Sequence, residues 1–322
     1  MTENEVIQEI FDTFKLNHAH KGFGPFGDDA VIIPPPSAQD HLVLSTDSFS
    51  DGTHFDSNIE WEAIGWKALV ASLSDIVAMG AQPSFYMLNL ILPKSFDSHK
   101  SLISGLYRAS KCYNVDLLGG DVARGESLTI SITVGGYQPQ TQVKKNIGAG
   151  VGDLIFTNAP LGYSLLGFEQ HKKGIRDTIF TKEFLYPQTP VELGLWLSKT
   201  EGVTTLRDIS DGLLSELRQF SKSHEQSVQI FKQNFHDEFE ESCKHLDLNK
   251  EEVFLKGGED YRLLWTIKEK GADLFETDYI KKFKTPPIKI GEVKELSNEP
   301  KIYFDPNQSL TDSIMPFEHF SS

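Results

Sequence analysis

The sequence predicts an α/β or α+β architecture in two packed units, and three observations carry that expectation. The chain has 322 residues, more than one typical core organises, so two units come first and a single large domain second. Strand-like and helix-like segments interleave in both halves, which favours layered sheets and helices. Between the halves, residues 138–150 (QPQTQVKKNIGAG) lose apolar content and gather Gln, Lys and Gly, as linkers do. We therefore expect units at 1–145 and 146–322.

The elements follow in order. Val6, Ile7, Ile10, Phe11 and Phe14 are spaced for an amphipathic helix. DAVIIPPP and HLVLSTD read as short strands, WEAIGWKALVASLSDIVAMGA as a long helix stopped by glycine, and PSFYMLNLILP as a buried strand closed by proline. SHKSLISGLYRASKCY is a second helix, and VDLLGGD and SLTISITVGGY are strands. In the last of these, Leu128, Ile130, Ile132 and Val134 alternate onto one face, which must be packed. The second half restarts with the strand VGDLIFTNA and the helices LGYSLLGFEQHKKG, PQTPVELGLWLSKT and LLSELRQFSKSH. The strands SVQIF, YRLLWTI, PIKIGEV and KIYF follow. No short tandem repeat or low-complexity tract interrupts them.

Composition excludes several classes of function. A net charge of −15 argues against nucleic acid or an anionic membrane as partner, so any anionic substrate needs a cation between it and the chain. Cys112 and Cys243 are the only cysteines and have neither disulfide-framework nor zinc spacing, which fits a reducing, cytoplasmic setting. The acidic, helix-patterned N-terminus MTENEVIQEIFDTF is not read as a signal peptide, and stretches such as YMLNLIL are too short to span a bilayer.

Five acidic signals sit at or beside apolar elements: GDDA at 27–30, STD at 45–47, LSD at 73–75, GGD at 119–121 and DISD at 208–211. Carboxylates converging near a core share a cation or become protonated, because an isolated buried charge is too costly. Asp75 is the most informative. Residues 63–79 are apolar nearly all round, the mark of a buried helix, and Lys67, Ser74 and Asp75 form one polar stripe on it. On chemistry alone a core ion pair or a solvated seam is the favoured account of the stripe, and Ser-Thr-Asp after a strand is also ordinary turn chemistry. If a metal is present, hydroxyl and carboxylate oxygens suit Mg²⁺ better than zinc.

No GxxxxGK[ST] loop accompanies the acids, and GAGVGD at 148–153 does not match a dinucleotide fingerprint. GGDVARG at 119–125 and KGGEDYRLL at 256–264 place paired glycines before an acid. Such glycines let backbone approach a ligand closely, or simply make a tight turn.

In this order FGDDA, STDSFSDGTHF, WKALVASLSDIVAMGAQP, LLGGDVARG, VGDLIFT, ISDGL, GGEDY and PFEHF resemble thiamine-monophosphate kinases, in the superfamily of aminoimidazole ribonucleotide synthetase and selenophosphate synthetase. The resemblance runs nearly end to end. It implies the two-domain aminoimidazole ribonucleotide synthetase-like fold, with an N-terminal ATP- and Mg²⁺-binding domain whose sheet pairs in a homodimer and a C-terminal α/β domain. The implied reaction is ATP-dependent phosphorylation of thiamine monophosphate to thiamine diphosphate by direct in-line transfer. Asp29, Ser45, Thr46, Asp47, Asp75, Asp121 and Asp208 would supply oxygen to a Mg²⁺ cluster, with Asp211 on a further ion. Gly120, Asp121, Ser210 and Lys145 would meet ATP, and His54, Glu259 and Phe317 the substrate. The attacking phosphate oxygen is already charged, so Asp47, Asp75 and Asp121 would serve as metal ligands, with no general base required.

The chain departs from the pattern at several points. Family members usually read R-S-G-A-K-P-G-D with the arginine on ATP, whereas this chain reads Asn146-Ile147-Gly148-Ala149-Gly150-Val151-Gly152-Asp153. Lys144 or Lys145 would then supply only a point charge in place of a bidentate fork. GGDTTRG becomes GGDVARG, and GIGDD becomes Pro25-Phe26-Gly27-Asp28-Asp29. Two other readings stand beside the kinase: a nucleotide-binding relative without turnover, and a superfamily enzyme that activates a different acceptor with ATP.

Overall fold

The computed structural model describes residues 9–10, 12–13, 37, 39–56, 58–296, 299, 301–305 and 308–309. The predicted strand DAVIIPPP lies outside them; of the predicted first helix, residues 9, 10, 12 and 13 are described and are helical. The chain divides into two compact units, 1–143 and 144–322.

Beyond the helical residues near its start, the described residues of the first unit form a four-stranded sheet with two helices on one face. Its strands are β1 (Asp40–Ser50), β2 (Gln82–Pro93), β3 (Asp116–Gly125) and β4 (Thr129–Pro139), in the order β1-β4-β2-β3. β4 runs antiparallel to both of its neighbours. β2 and β3 are parallel, a pairing that requires a crossover, and helix α2 (His99–Tyr113) supplies it. The expected alternation holds: Leu128, Ile130, Ile132 and Val134 are all buried, and they lie under helix α1 (Trp61–Ala78). That helix is buried along nearly its whole length, as its all-round apolar sequence requires. It packs against α2 through reciprocal glycines. A Cβ on Gly65 would stand 2.1 Å from the carbonyl oxygen of Leu102, and one on Gly105 would stand 1.9 Å from that of Glu62.

The other face of this sheet has no helix among the described residues. It carries the hydroxyl pairs Thr46–Thr133 (3.1 Å) and Ser48–Ser131 (2.7 Å). It also carries Leu42, Leu44, Met87 and Ile91, exposed at 43%, 56%, 38% and 40%.

The second unit is built on a seven-stranded sheet. Its strands are β5 (Leu154–Thr157), β6 (Val203–Ile209), β7 (Ser227–Ile230), β8 (Arg262–Ile267), β9 (Ile288–Lys294), β10 (Ile302–Asp305) and β11 (Gln308–Ser309), in the order β11-β10-β7-β9-β5-β8-β6. Only β10 and β7 pair in parallel. The first five of the strands are joined by helices α3 (Tyr163–Lys172), α4 (Ile179–Leu185), α5 (Val191–Lys199), α6 (Leu213–His224), α7 (Asp237–His245), α8 (Lys250–Lys256) and α9 (Ala272–Phe283). Leu213, Leu214, Leu217 and Phe220 of α6 join Ile155, Ile209, Leu264 and Ile290 of the sheet in one core.

Strand β6 and helices α4, α7, α8 and α9 went unanticipated. β6 has a register shift between Val203 and Thr205, and such an irregularity erases the period-two alternation. α7 buries only Phe239 and Cys243, too few apolar positions to reveal a helical period. α4 has seven residues and depends on a capping box in which Thr178 and Thr181 bond each other's backbone N–H.

Candidate functional site

In the first unit, strand β1 and helix α1 bring three of the anticipated residues together. Alternation along β1 turns Ser45 and Asp47 toward the helix, where Asp75 interrupts its apolar surface. The Ser45 hydroxyl donates to Asp75 Oδ2 at 2.5 Å. Burial first, and then the neighbouring Asp75 charge, push the Asp47 carboxyl up to about 6 against the opposing bond from Ser72. Burial likewise raises Asp75, opposed by the bond from Ser45. Two partly buried carboxylates that repel one another, each with a hydroxyl neighbour of its own, form an all-oxygen donor set, and such a set fits a hard divalent cation. Among the described residues no group of three His, Cys, Asp or Glu side chains is assembled to hold a metal, so this is a two-carboxylate platform.

Thr46 and Asp121 are placed elsewhere in the sheet. Thr46 faces the open side, where its hydroxyl reaches Thr133 Oγ1 and the Ile132 carbonyl. Asp47 pairs with Ile132, Ile132 with Leu88, and Leu88 with Gly120, so Asp47 and Gly120 share one row across the sheet. They stand three strands apart, roughly 14 Å at the usual strand spacing. Asp121 belongs to the next row with Ser48, Ser131 and Asn89, and is exposed. Gly120 is required where it is, because a Cβ there would lie 1.7 Å from the Leu88 carbonyl oxygen. His54 sits in the turn after β1, where its Nδ1 accepts the Ser50 N–H at 3.2 Å. A neutral ring bonded this way carries its proton on Nε2. Asp29 and Phe317 lie outside the described residues.

In the second unit, the ISDGL and KGGED loops pack backbone to backbone. Glu259 N–H donates to the Ser210 carbonyl at 2.6 Å, and a Cβ on Gly258 would stand 2.8 Å from that same oxygen. The loops thereby bring Asp208, Ser210, Asp211 and Glu259 into one neighbourhood. Glu259 and Tyr261 adopt positive φ of 62° and 48°, a conformation that non-glycine residues hold only when their surroundings enforce it. Between them, the buried Asp260 accepts N–H bonds from Gly162 (2.6 Å) and Ser164 (2.9 Å) and so anchors the start of α3. Burial raises its carboxyl to about 6 despite those two bonds. Nothing in the GGED motif signals that its second acid turns inward.

Asp153 is buried and accepts bonds from Gly150 N–H (3.0 Å) and the Thr204 hydroxyl (2.7 Å). Lys144 Nζ donates to the Val203 carbonyl at 3.1 Å. Lys145 is exposed and has no ion pair among the described residues, so of the two lysines beside Asn146 it is the one available to a ligand.

Residues 27–137 match the family profile described as AIR synthase related protein, N-terminal domain. A thiamine-monophosphate kinase of Haemophilus influenzae is 32% identical over 307 residues, which cover 91% of this chain and 90% of that relative. This chain belongs to the thiamine-monophosphate kinase family. Among solved structures, the thiamine-monophosphate kinase of Stenotrophomonas maltophilia K279a matches with a TM-score of 0.78 at 25% identity, over 92% of this chain and 95% of that one. The structure of AaThiL complexed with AMPPCP and TMP matches with a TM-score of 0.73 at 25% identity, over 95% of this chain and 97% of that one. Family membership thus agrees with the resemblance read from the ordered motifs, and the neighbours share the two-sheet α/β fold. No helix among the described residues is long and apolar enough to cross a membrane.

Proposed function

We propose that this chain phosphorylates thiamine monophosphate with ATP, giving thiamine diphosphate and ADP. Membership in the kinase family supports the reaction, and the observation that carries it here is the Ser45, Asp47 and Asp75 platform. Asp47 and Asp75 would hold one Mg²⁺ together with Ser45; by family resemblance Thr46, Asp121, Asp208 and Asp29 would supply oxygen to other ions of a cluster, and Asp211 to a further one. When bound, the cation neutralises charge on the phosphates that must approach one another.

The remaining residues bind and orient. Lys145 would replace the family arginine at the ATP phosphates as a point charge, with Gly120 and Ser210 beside the nucleotide. His54 would offer its Nε2 proton to a phosphate oxygen, and Glu259, held at positive φ, would face the cationic thiamine. Phe317 would contribute a ring to that cation. The N-terminal unit would be the ATP- and Mg²⁺-binding domain, the active form a homodimer, and the setting cytoplasmic. The exposed Leu42, Leu44, Met87 and Ile91 on the open sheet face support a second copy as partner.

Purified protein with ATP, Mg²⁺ and thiamine monophosphate should yield thiamine diphosphate by chromatography, and Asp47→Ala should abolish it. A second reading, nucleotide binding without turnover, is favoured by Asn146 in place of the family arginine. ATP binding by calorimetry with no thiamine diphosphate after hours would establish that reading and remove the first.

A further inference from the structure

A cavity of about 360 Å³ lies within the second unit, between the loop after β5, the loop after β7, helices α7 and α8, and the start of β9. None of the residues proposed for the kinase reaction lines it, and three of its properties bear on what could fill it.

Its wall is an aromatic array with parallel faces. Tyr163 stacks on Phe239 with ring centroids 5.6 Å apart, and Phe239 stacks on Phe235 at 5.3 Å, each pair inclined by 18°. The rings cover one another's faces, with Phe239 buried between the other two, so the array offers ring edges, which a planar ligand ring can meet edge to face. Thr157, another lining residue, is fully buried and its hydroxyl has no hydrogen-bond partner among the described residues. An unsatisfied buried hydroxyl destabilises the fold, and a bound polar atom would relieve it. The charge is also one-sided. Lys232, His236 and Lys289 are among the lining residues, which include no Asp or Glu, in a chain whose net charge is −15.

The acids nearby are committed or set back. Glu276 pairs with Lys289 at 3.3 Å, Asp260 is bonded to Gly162 and Ser164, and Glu238 acts on Tyr163 without lining the cavity. Lys232 is exposed and has no ion pair among the described residues.

We propose that this cavity is a second ligand site, which takes a small aromatic molecule carrying a phosphate group. The ring packs edge to face against Tyr163, Phe239 and Phe235, the phosphate meets Lys232 and His236, and a ring substituent bonds Thr157. Lysine serves phosphate as a compact point charge on a flexible stem, which suits an open rim.

Calorimetric titration of the full-length protein with phenyl phosphate tests the proposal, beside phenol and inorganic phosphate as the two halves of the probe. Saturable 1:1 binding is expected, with each half binding at least about tenfold more weakly. Lys232→Glu, an exposed change, should weaken the binding by about tenfold or more, and Ile288→Trp, which fills the cavity, should abolish it. Binding that fails to saturate, or that is the same in Lys232→Glu as in the wild type, overturns the proposal, as does phenol matching phenyl phosphate. Because calorimetry requires no turnover, failure of the kinase reading would leave this result intact, and Lys232→Glu should retain whatever kinase activity the wild type has.

Discussion

At the scale of single residues, the platform made by Ser45, Asp47 and Asp75 is held in tension. Both carboxyls are raised by burial, and Asp47 additionally by the charge of Asp75, so a bound cation should stabilise the fold. Mg²⁺ at about a hundredfold excess over its Kd should add about 2.7 kcal/mol, read as an increase in Tm, and Asp47→Asn should lose most of it. An unchanged Mg²⁺ response in that variant would place the cation elsewhere. Asp260 makes a separate prediction. Its folded pKa of about 6 exceeds the ordinary 3.8, so the folded chain binds its proton more tightly than the unfolded chain does. The resulting stability is complete below pH 3.8 and is lost as pH rises through about 6. Asp260→Asn should flatten the fall in stability between pH 4 and 6, measured by urea unfolding. Asp75 was legible because it interrupts a helix that is otherwise apolar all round. Asp260 was not, because nothing in GGED says which of two adjacent acids turns inward; the positive φ values of Glu259 and Tyr261 decide that.

At the scale of elements, the contact between α1 and α2 is the least forgiving in the N-terminal unit. Gly65 and Gly105 each sit under the other helix's backbone, and any side chain there must push the helices apart. Gly105→Ala should cost about 3 kcal/mol or more in denaturant unfolding, far beyond the few tenths that an exposed helical position would show. A variant as stable as the wild type would mean that the helices are not so close. Long elements with a clean period, such as α1 and β4, could be read directly from the residues. The short or interrupted ones could not: β6 loses its alternation at a register shift, and α7 shows only two buried positions. Register was hidden for the same reason. The separation of Asp121 from Asp47 follows from pairings across β4 and β2 that no local pattern contains.

At the scale of the molecule, the open face of the N-terminal sheet sets the prediction. Leu44 is 56% exposed at its centre, with Leu42, Met87 and Ile91 on the same face. Leu44→Glu should convert a dimer to a monomer in sedimentation at micromolar concentration while leaving the helical signal unchanged. A wild-type monomer under those conditions would remove the homodimer from the proposal. Sequence pattern anticipated two α/β units, and the ordered motifs, more than any one of them, indicated the family.

The pairing of β1 with β4 also bears on how the chain is made. Asp40 meets Pro139 and Ser50 meets Thr129, so the strand that carries Ser45 and Asp47 leaves the ribosome long before its partner exists. At about 5–20 residues per second, β1 waits several seconds in the open, with Leu42 and Leu44 available to any sticky neighbour. Closing so distant a pair is also slow in itself. A chaperone that shields nascent apolar strands, or a slower translation rate before residue 139, should therefore alter the soluble yield of this protein more than its final stability.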